Sequence, residues 1–184
     1  MRAFIAVELS NTDGIEQLQQ DLVTESKWLS GNFVPVKSQN LHFTLIFLGN
    51  IGLETSHKVQ VILSDIKFKP LNLILRGVGA FPHPDHARVI WVGVDENGRR
   101  AMVNLAQQIN SKLSRIEIDP GRPFKPHLTI FRAKGIPLKL RSEVVSKYRD
   151  NTIAQDTIDR VHFKRSELTS SGPVYSNIFT VQAR

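Results

Sequence analysis

The chain has 184 residues, of which 41% are hydrophobic, and a formal net charge of +7. This length fits one domain or two closely packed lobes, and the apolar fraction suffices for a buried core. Because the sequence has no cysteine, disulfides, thiolate catalysis and cysteine zinc sites are excluded. The first apolar run is too short for a signal peptide or a membrane span, so we expect a cytoplasmic protein with no membrane partner. The positive charge favours a polyanionic partner.

Apolar patterns predict a mixture of strands and helices. Runs of β-branched and aromatic residues predict strands at residues 2–9, 33–37, 41–49, 71–80, 88–94, 127–131, 158–168 and 174–181. Helical spacing predicts helices at about residues 11–28, 54–66, 99–113 and 138–148. Since strands and helices do not alternate strictly, we predict an α+β fold with antiparallel sheets.

The order strand, helix, histidine-bearing strand occurs twice, once before residue 50 and once in residues 88–132. We therefore predict that residues 1–184 form one bilobal domain. Its two pseudo-repeated lobes would each contribute one histidine strand to a shared cleft.

The two histidine strands carry the same motif, His-x-Thr, as His42-Phe-Thr44 and His127-Leu-Thr129. In a strand, alternate side chains share a face, so each histidine lies beside its threonine. By the same alternation, Phe131 is expected on the face of His127. The face opposite His42 is expected to hold Leu41, Phe43, Leu45 and Phe47.

A histidine pair on facing strands suits acid–base catalysis at a phosphodiester. Imidazole titrates near neutrality, so one ring can take a proton from the attacking oxygen while the other gives one to the leaving oxygen. In-line displacement needs these oxygens on opposite sides of the phosphorus, which facing strands provide. Thr44 and Thr129 can donate to the phosphate oxygens, and Arg132 or Lys125 can offset their charge. No metal or other cofactor is required, and the residues alone do not decide which histidine is the acid.

A metal site is the alternative interpretation for the other histidines. His83 and His86 flank Asp85 in a proline-rich loop and can ligate a metal. However, the sequence has no His-Glu-x-x-His and no carboxylate beside either His-x-Thr motif, so we predict no metal. His57 and His162 are interpreted as incidental.

With their flanks, the two motifs resemble those of the two-histidine phosphoesterase superfamily. The segments His42-Phe-Thr-Leu-Ile-Phe-Leu-Gly49 and Arg122-Pro-Phe-Lys-Pro-His-Leu-Thr-Ile-Phe-Arg132 are similar to the motifs of its RNA 2′,3′-cyclic phosphodiesterases, historically called 2′-5′ RNA ligases. The opening Arg2-Ala-Phe-Ile-Ala, the strand Arg88-Val-Ile-Trp-Val-Gly93 and the late Gly172-Pro-Val-Tyr175 extend the resemblance over the whole chain.

This resemblance implies a fold, a reaction and residue roles. The fold is bilobal, with two antiparallel sheets lining a central cleft and helices packed outside. The reaction is metal-free hydrolysis of a terminal 2′,3′-cyclic phosphate on RNA to a 2′-phosphate. The resemblance makes His42 the proton donor and His127 the proton acceptor. On position alone, the candidate phosphate- and RNA-binding residues are Arg132, Lys125, Arg122 and Arg88.

Two other functions fit the sequence. A 2′-5′ RNA ligase would run the same step backwards to join tRNA halves, although no Gly-rich loop for an ATP-driven route is present. A non-catalytic module would bind RNA ends in a basic cleft, but we would expect it to lack one of the two histidines. We expect a monomer whose partner is RNA with a terminal 2′,3′-cyclic phosphate, with tRNA halves as one candidate.

Overall fold

The computed structural model of the protein describes residues 1–25, 29, 32–116, 118, 123–137, 139–170 and 172–184. The strands of this part are β1 (Arg2–Glu8), β2 (Phe33–Pro35), β3 (His42–Asn50), β4 (Leu71–Phe81), β5 (Val89–Val94), β6 (Leu128–Ala133), β7 (Thr152–Ile158), β8 (Arg160–Thr169) and β9 (Gly172–Gln182). Its helices are α1 (Asp13–Glu25), α2 (Leu53–Ser64), α3 (Glu96–Leu113) and α4 (Ser142–Lys147). No helix within these ranges has the length and hydropathy needed to cross a membrane.

The strands form two sheets in which the paired strands run antiparallel. The first sheet has the order β3-β1-β8-β9, and the second has the order β2-β6-β5-β4-β7. Strands β3 and β6 contact each other where the sheets meet. Helix α1 lies against β6 and β7, and α3 lies against β3 and β4. The predicted α+β fold, with two antiparallel sheets lining a cleft and helices outside, is confirmed.

Strand β1 separates the core from the cleft. Its side chains Ala3, Ile5 and Val7 lie in the hydrophobic core, in keeping with the two-residue period of a strand. Phe4 and Glu8 point to the other face, where the Phe4 ring contacts His42. One short strand therefore anchors the first sheet and supports a candidate catalytic residue.

Helix α3 begins three residues earlier than its predicted start at residue 99. The Asp95 carboxylate caps it by accepting from the backbone N–H groups of Asn97 and Gly98, each at 3.2 Å. The buried side chains then recur at helical spacing and include Met102, Leu105, Ala106, Ile109 and Leu113. The capping aspartate fixes the boundary more sharply than the apolar pattern did.

The structure departs from three further predictions. The strand predicted at residues 158–168 corresponds to β8, but β7 before it was not predicted, because it is an edge strand whose polar, half-exposed side chains give no apolar pattern. The helix predicted at residues 138–148 is shorter, because α4 covers only Ser142–Lys147. The strand predicted at 33–37 ends at Pro35. Residue 138 and residues 26–28, at the end of the first predicted helix, lie outside the described residues.

Both histidine strands contain a β-bulge at the same place in the motif. The pairing of β1 with β3 skips Leu45, and the pairing of β5 with β6 skips Ile130. These two residues directly follow the motif threonines, Thr44 and Thr129. The pairing of β1 with β3 shifts a second time at Leu48, beyond the motif. A bulge adds one residue to one strand and so exchanges the faces of the side chains beyond it. The matching bulges agree with two pseudo-repeated lobes, which remain a prediction.

These bulges overturn two predicted side-chain directions. Phe47 was expected opposite His42, but it is 62% exposed and lines the cleft. Phe131 was expected beside His127, but it is fully buried, and Arg132 lines the cleft instead. Strict alternation fails at both positions because each lies beyond the extra residue.

Candidate active site

A cavity of about 530 Å³ lies where β3 and β6 approach each other. It brings together five of the residues that the sequence singled out, namely His42, Thr44, His127, Thr129 and Arg132. A neighbouring groove of about 690 Å³ runs between α1 and residues 35–39 and shares part of its lining with this cavity, but no histidine lines it. The candidate chemistry therefore lies in the cavity between the sheets.

The two imidazoles are held by the same local hydrogen bond. Nδ1 of His42 donates to the backbone carbonyl of Asn40 at 2.8 Å, and Nδ1 of His127 donates to that of Lys125 at 2.7 Å. Because a carbonyl oxygen only accepts, each Nδ1 carries a proton. Nε2 is then the nitrogen that can exchange a proton with a substrate.

Aromatic side chains hold both rings in place. The centroid of the His42 ring lies 5.0 Å from that of Phe4 and 5.2 Å from that of Tyr175, which meets it edge-on. The centroid of the His127 ring lies 4.9 Å from that of Phe81, also edge-on. Phe81 in turn packs against Trp91 at 5.4 Å. These contacts restrict ring rotation, so Nε2 keeps a fixed direction.

Burial lowers the pKa of both histidines. Desolvation is the main cause of the His42 pKa of about 4, and the Asn40 carbonyl, which favours the charged ring, offsets it only in part. The positive charges of Lys164 and Arg132 lower this pKa further, whereas Glu8 raises it. For His127, burial lowers the pKa first and Arg132 adds to the effect. Both imidazoles are therefore predominantly neutral at neutral pH without substrate.

Arg132 influences both histidines of the cavity. It lines the cavity, as Thr129 does, and its charge lowers the pKa of both histidines. It has no ion-pair partner among the described residues. Lys37 is the second cationic residue of the cavity lining. Among the described residues, no aspartate or glutamate lines the cavity. The cavity is therefore suited to an anion.

Known proteins share this architecture and sequence. The family model described as the AKAP7 2′5′ RNA ligase-like domain matches residues 3–182. The chain belongs to this family of two-histidine phosphoesterases. The RNA 2′,3′-cyclic phosphodiesterase of Archaeoglobus fulgidus is 34% identical over 178 residues, which cover 97% of this chain and 98% of that protein. The protein of the same name from Aquifex aeolicus is 33% identical over 184 residues, with coverages of 96% and 94%.

Solved structures support the fold. The crystal structure of Escherichia coli LigT in its apo form superimposes with a TM-score of 0.76 at 21% identity, covering 99% of this chain and 96% of LigT. The Thermus thermophilus protein TT0787 gives a TM-score of 0.74 at 26% identity, with coverages of 100% and 98%. The predicted membership of the two-histidine phosphoesterases is confirmed.

Two other predicted RNA-binding residues lie outside the cavity lining, and the third lies outside the described residues. Lys125 contributes its carbonyl to His127, but its side chain does not line the cavity. Arg88 also lies outside the lining and donates to the carbonyl of Gly135 at 3.4 Å. Arg122 lies outside the described residues. Roles for these three stay predictions.

A buried polar network next to His42 was missed. Lys164, only 5% exposed, bonds the Glu8 carboxylate and the Asn177 amide oxygen, the latter at 2.7 Å. His162 lies 3.6 Å from Glu8, so it is part of this network rather than incidental. Its pKa is lowered, first by burial. The sequence did contain a signal, since His162 and Lys164 put two basic side chains on one face of an apolar strand.

The alternative metal site at His83 and His86 gains no support from its surroundings. Asp85, between them, forms an ion pair with Lys139 at 3.0 Å, which lowers the pKa of the carboxylate. The described part of the chain contains no cluster of three or more metal-ligating side chains. A lysine at the carboxylate would compete with any cation there.

Proposed function

We propose that this protein is an RNA 2′,3′-cyclic phosphodiesterase, which opens a terminal 2′,3′-cyclic phosphate to a 2′-phosphate. The observation that carries the proposal is the shared cavity of His42 and His127, each with Nδ1 bonded to a carbonyl and Nε2 left for the substrate. Relatives named RNA 2′,3′-cyclic phosphodiesterase match nearly the whole chain, which supports the same reaction.

In the proposed mechanism, water attacks the phosphorus opposite the 3′ oxygen. His127 accepts the proton of the water as its oxygen bonds to phosphorus. The bond from phosphorus to the 3′ oxygen breaks, and His42 donates its proton to that oxygen. The products are a 2′-phosphate and a 3′ hydroxyl. Thr44, Thr129 and Arg132 donate hydrogen bonds to the non-bridging oxygens as charge accumulates on them.

The low pKa of His42 places a condition on its role as donor. A proton donor must be charged before the reaction, yet burial and the nearby cations disfavour the imidazolium. A substrate phosphate beside Nε2 supplies the negative charge that raises this pKa and also neutralises Arg132. We infer that His42 takes up its proton together with the anionic substrate. Substrate binding and proton uptake are therefore coupled.

We propose that the partner is an RNA end, with tRNA halves as one candidate, and that the protein acts as a monomer in the cytoplasm. The reverse reaction, which joins a cyclic phosphate end to a free 5′ hydroxyl, would use the same two histidines with their roles exchanged. Lys125, Arg88 and Arg122 remain candidates for holding the rest of the RNA. A non-catalytic module is the other alternative.

The test is product analysis with wild-type protein in EDTA. The substrate is a labelled oligoribonucleotide ending in a 2′,3′-cyclic phosphate, with and without a second RNA bearing a 5′ hydroxyl. We expect conversion to the 2′-phosphate in both cases. A 3′-phosphate product would contradict the proposed direction of opening, and a 2′-5′ joined product as the main outcome would favour the ligase. Tight retention of the intact cyclic end would favour the binding module.

A further inference from the structure

We propose that the buried ion pair of Lys164 and Glu8 sets how readily His42 gives up its proton. Neither residue belongs to the two motifs, and both act through His42 rather than on the substrate. The inference rests on the proposed function, because it takes His42 as the proton donor of a cyclic phosphodiesterase. It extends that function by making Lys164 and Glu8 positioning residues for the donor.

The pair lies next to His42 on one face of the first sheet. Glu8 on β1 is the direct cross-strand partner of His42, and Lys164 on β8 is the direct partner of Phe4 on β1. The side chains of directly paired residues share a face of the sheet, with Cβ atoms about 5 Å apart. The Phe4 ring contacts the imidazole of His42, with centroids 5.0 Å apart. The carboxylate is therefore directly across from His42, and the ammonium is one strand further along.

Burial gives this pair a strong electrostatic effect. Lys164 is only 5% exposed, and its ammonium bonds the Glu8 carboxylate and donates to the Asn177 amide oxygen at 2.7 Å. Replacing a buried ion pair by apolar residues of similar volume often leaves a protein equally stable or more stable. Stability therefore gives little reason for a lysine here, whereas a charge in a low-dielectric environment acts strongly on a neighbouring ionisable group.

His162 helps to fix the direction of the Glu8 carboxylate. Lys164 Nζ contacts Oε1 of Glu8, and His162 Nε2 lies 3.6 Å from Oε2. The imidazole of His162 is itself held through Nδ1, which lies 3.0 Å from the Thr180 hydroxyl. Both carboxylate oxygens are thus occupied from β8, so the negative charge keeps one position relative to His42.

The two charges of the pair act on His42 in opposite directions. Burial is the largest cause of the low His42 pKa, and to it Lys164 adds a further lowering, which Glu8 offsets in part. A nearby cation disfavours the imidazolium, whereas a nearby carboxylate favours it. The other titratable or charged groups around the ring are Arg132 from β6, Tyr175 from β9, His127 across the cavity and, through Glu8, His162.

Lys164 differs from Arg132 in what happens when substrate binds. Arg132 lines the cavity, so the phosphate offsets its charge. Lys164 does not line the cavity, and its partners Glu8 and Asn177 belong to the protein. Its effect on His42 therefore persists in the complex, where the phosphate raises the pKa of the donor. Because an acid catalyses best when its pKa lies near the working pH, Lys164 keeps His42 acidic enough to release its proton to the 3′ oxygen.

The test measures the His42 pKa by NMR titration and the pH dependence of kcat/KM for a cyclic phosphate end. Lys164→Met should raise the pKa of His42 and Glu8→Gln should lower it, each by about half a pH unit or more. In each variant, the pH of maximal kcat/KM should move in the same direction as the His42 pKa. A role in stability alone would weaken the fold in both variants without moving the pKa in opposite directions.

The exposed pair of Lys147 and Glu25 provides matched controls. Lys147→Met and Glu25→Gln remove the same charges at the surface and should leave the His42 pKa unchanged. If Lys164→Met and Glu8→Gln shifted the His42 pKa in one direction, or if either left it unmoved, the proposal would be overturned.

The double variant Glu8→Gln with Lys164→Met decides the question if a single variant does not fold, since it leaves no buried charge unpaired. Its His42 pKa should lie above that of wild type, because Lys164 has the larger effect of the two. A value at or below that of wild type would overturn the proposal. The titration needs no substrate, so its outcome is separate from that of the hydrolysis assay. If wild type hydrolysed no cyclic phosphate end, the proposed function would fall and the donor role of His42 with it.

Discussion

His42 and His127 are fixed by equivalent hydrogen bonds, each from Nδ1 to the carbonyl two residues earlier, at 2.8 and 2.7 Å. The two rings therefore present Nε2 to the cavity in the same tautomer. What distinguishes them is their electrostatic environment. His42 lies near the charges of Lys164, Glu8 and Arg132, whereas only Arg132 acts clearly on His127. This difference leads to a prediction about pH.

We predict that kcat/KM for a cyclic phosphate end has a maximum below the ordinary histidine pKa of 6.5. The base must be neutral and the acid charged, and kcat/KM reports the free protein, in which both pKa values are lowered. The plot of kcat/KM against pH is bell-shaped, and both of its limbs therefore move to acidic pH. As a result, kcat/KM falls as pH rises through neutrality. The measurement is kcat/KM from about pH 4 to 9.

The same experiment provides its own control. The bound phosphate raises the pKa of the donor, so the maximum of kcat should lie at higher pH than that of kcat/KM. A kcat/KM maximum above about pH 7.5 would contradict the lowered pKa values as the cause of the pH dependence.

Arg132→Gln should reduce turnover and raise the pKa of both histidines. The change removes the guanidinium that stabilises charge on the phosphate, so we expect a loss in kcat of about 10²- to 10³-fold. It also removes a positive charge that lowers both pKa values, and NMR titration of the imidazoles can measure this. Arg88→Gln is the matched control for the titration, since that side chain lies outside the cavity. Unchanged titration of both rings would count against this role of Arg132.

Gln19→Leu should destabilise the fold and disturb the site. The Gln19 side chain is buried in α1 and donates to the carbonyls of Val36 at 3.0 Å and of the bulge residue Ile130 at 2.8 Å. Losing these bonds should cost about 1–3 kcal/mol of unfolding free energy. A relaxed bulge would also move Arg132 and lower kcat. Urea unfolding and turnover measure the two effects.

The exposed Gln17, on the same helix, is the control for Gln19. Its side chain bonds Asp21 at the surface. Gln17→Leu should change the unfolding free energy by less than about 0.5 kcal/mol. If Gln19→Leu behaved like Gln17→Leu in both assays, the bulge would not depend on this hydrogen bond.

Lys164→Met should destabilise the protein by about 3 kcal/mol, because it leaves Glu8 partly buried without its cation. The double variant Glu8→Gln with Lys164→Met should recover part of that loss. Lys147→Met, which breaks the exposed pair with Glu25, should change the unfolding free energy far less, because water and salt screen that pair. Chemical unfolding of all three variants is the measurement. Equal effects of Lys164→Met and Lys147→Met would show that burial of the Glu8–Lys164 pair has no special importance.

The sequence revealed the two motifs because a polar pair in an apolar strand is visible from residue types alone. It did not reveal the bulges, since Leu45 and Ile130 are ordinary strand residues with no glycine or proline to mark an irregularity. Strict alternation of side chains along each strand therefore predicted the wrong face for Phe47 and for Phe131. Which residue is skipped depends on pairing with β1 and β5, a tertiary property that the sequence of the strand does not contain.

The rest of the cavity depends on distant segments. Lys37 enters from the segment after β2, and Tyr175 enters from β9, more than a hundred residues later. Arg132 was predicted because it lies next to a motif, whereas Lys37 has no motif around it. Residues that reach a site through sheet order and strand pairing are therefore recognised only in three dimensions. The family resemblance had pointed to Tyr175 without placing it against His42.

The most direct test of the central claim is the rate of cyclic phosphate hydrolysis in EDTA for wild type, His42→Gln, His127→Gln and the control His57→Gln, which changes an exposed helix residue. We predict that wild type and His57→Gln are equally active and that each site variant loses about 10²- to 10⁴-fold in kcat. The variant lacking both histidines should be little worse than either single variant, since the two act as a unit. A site variant within about threefold of wild type, or wild-type activity lost in EDTA, would contradict paired acid–base catalysis by these two histidines.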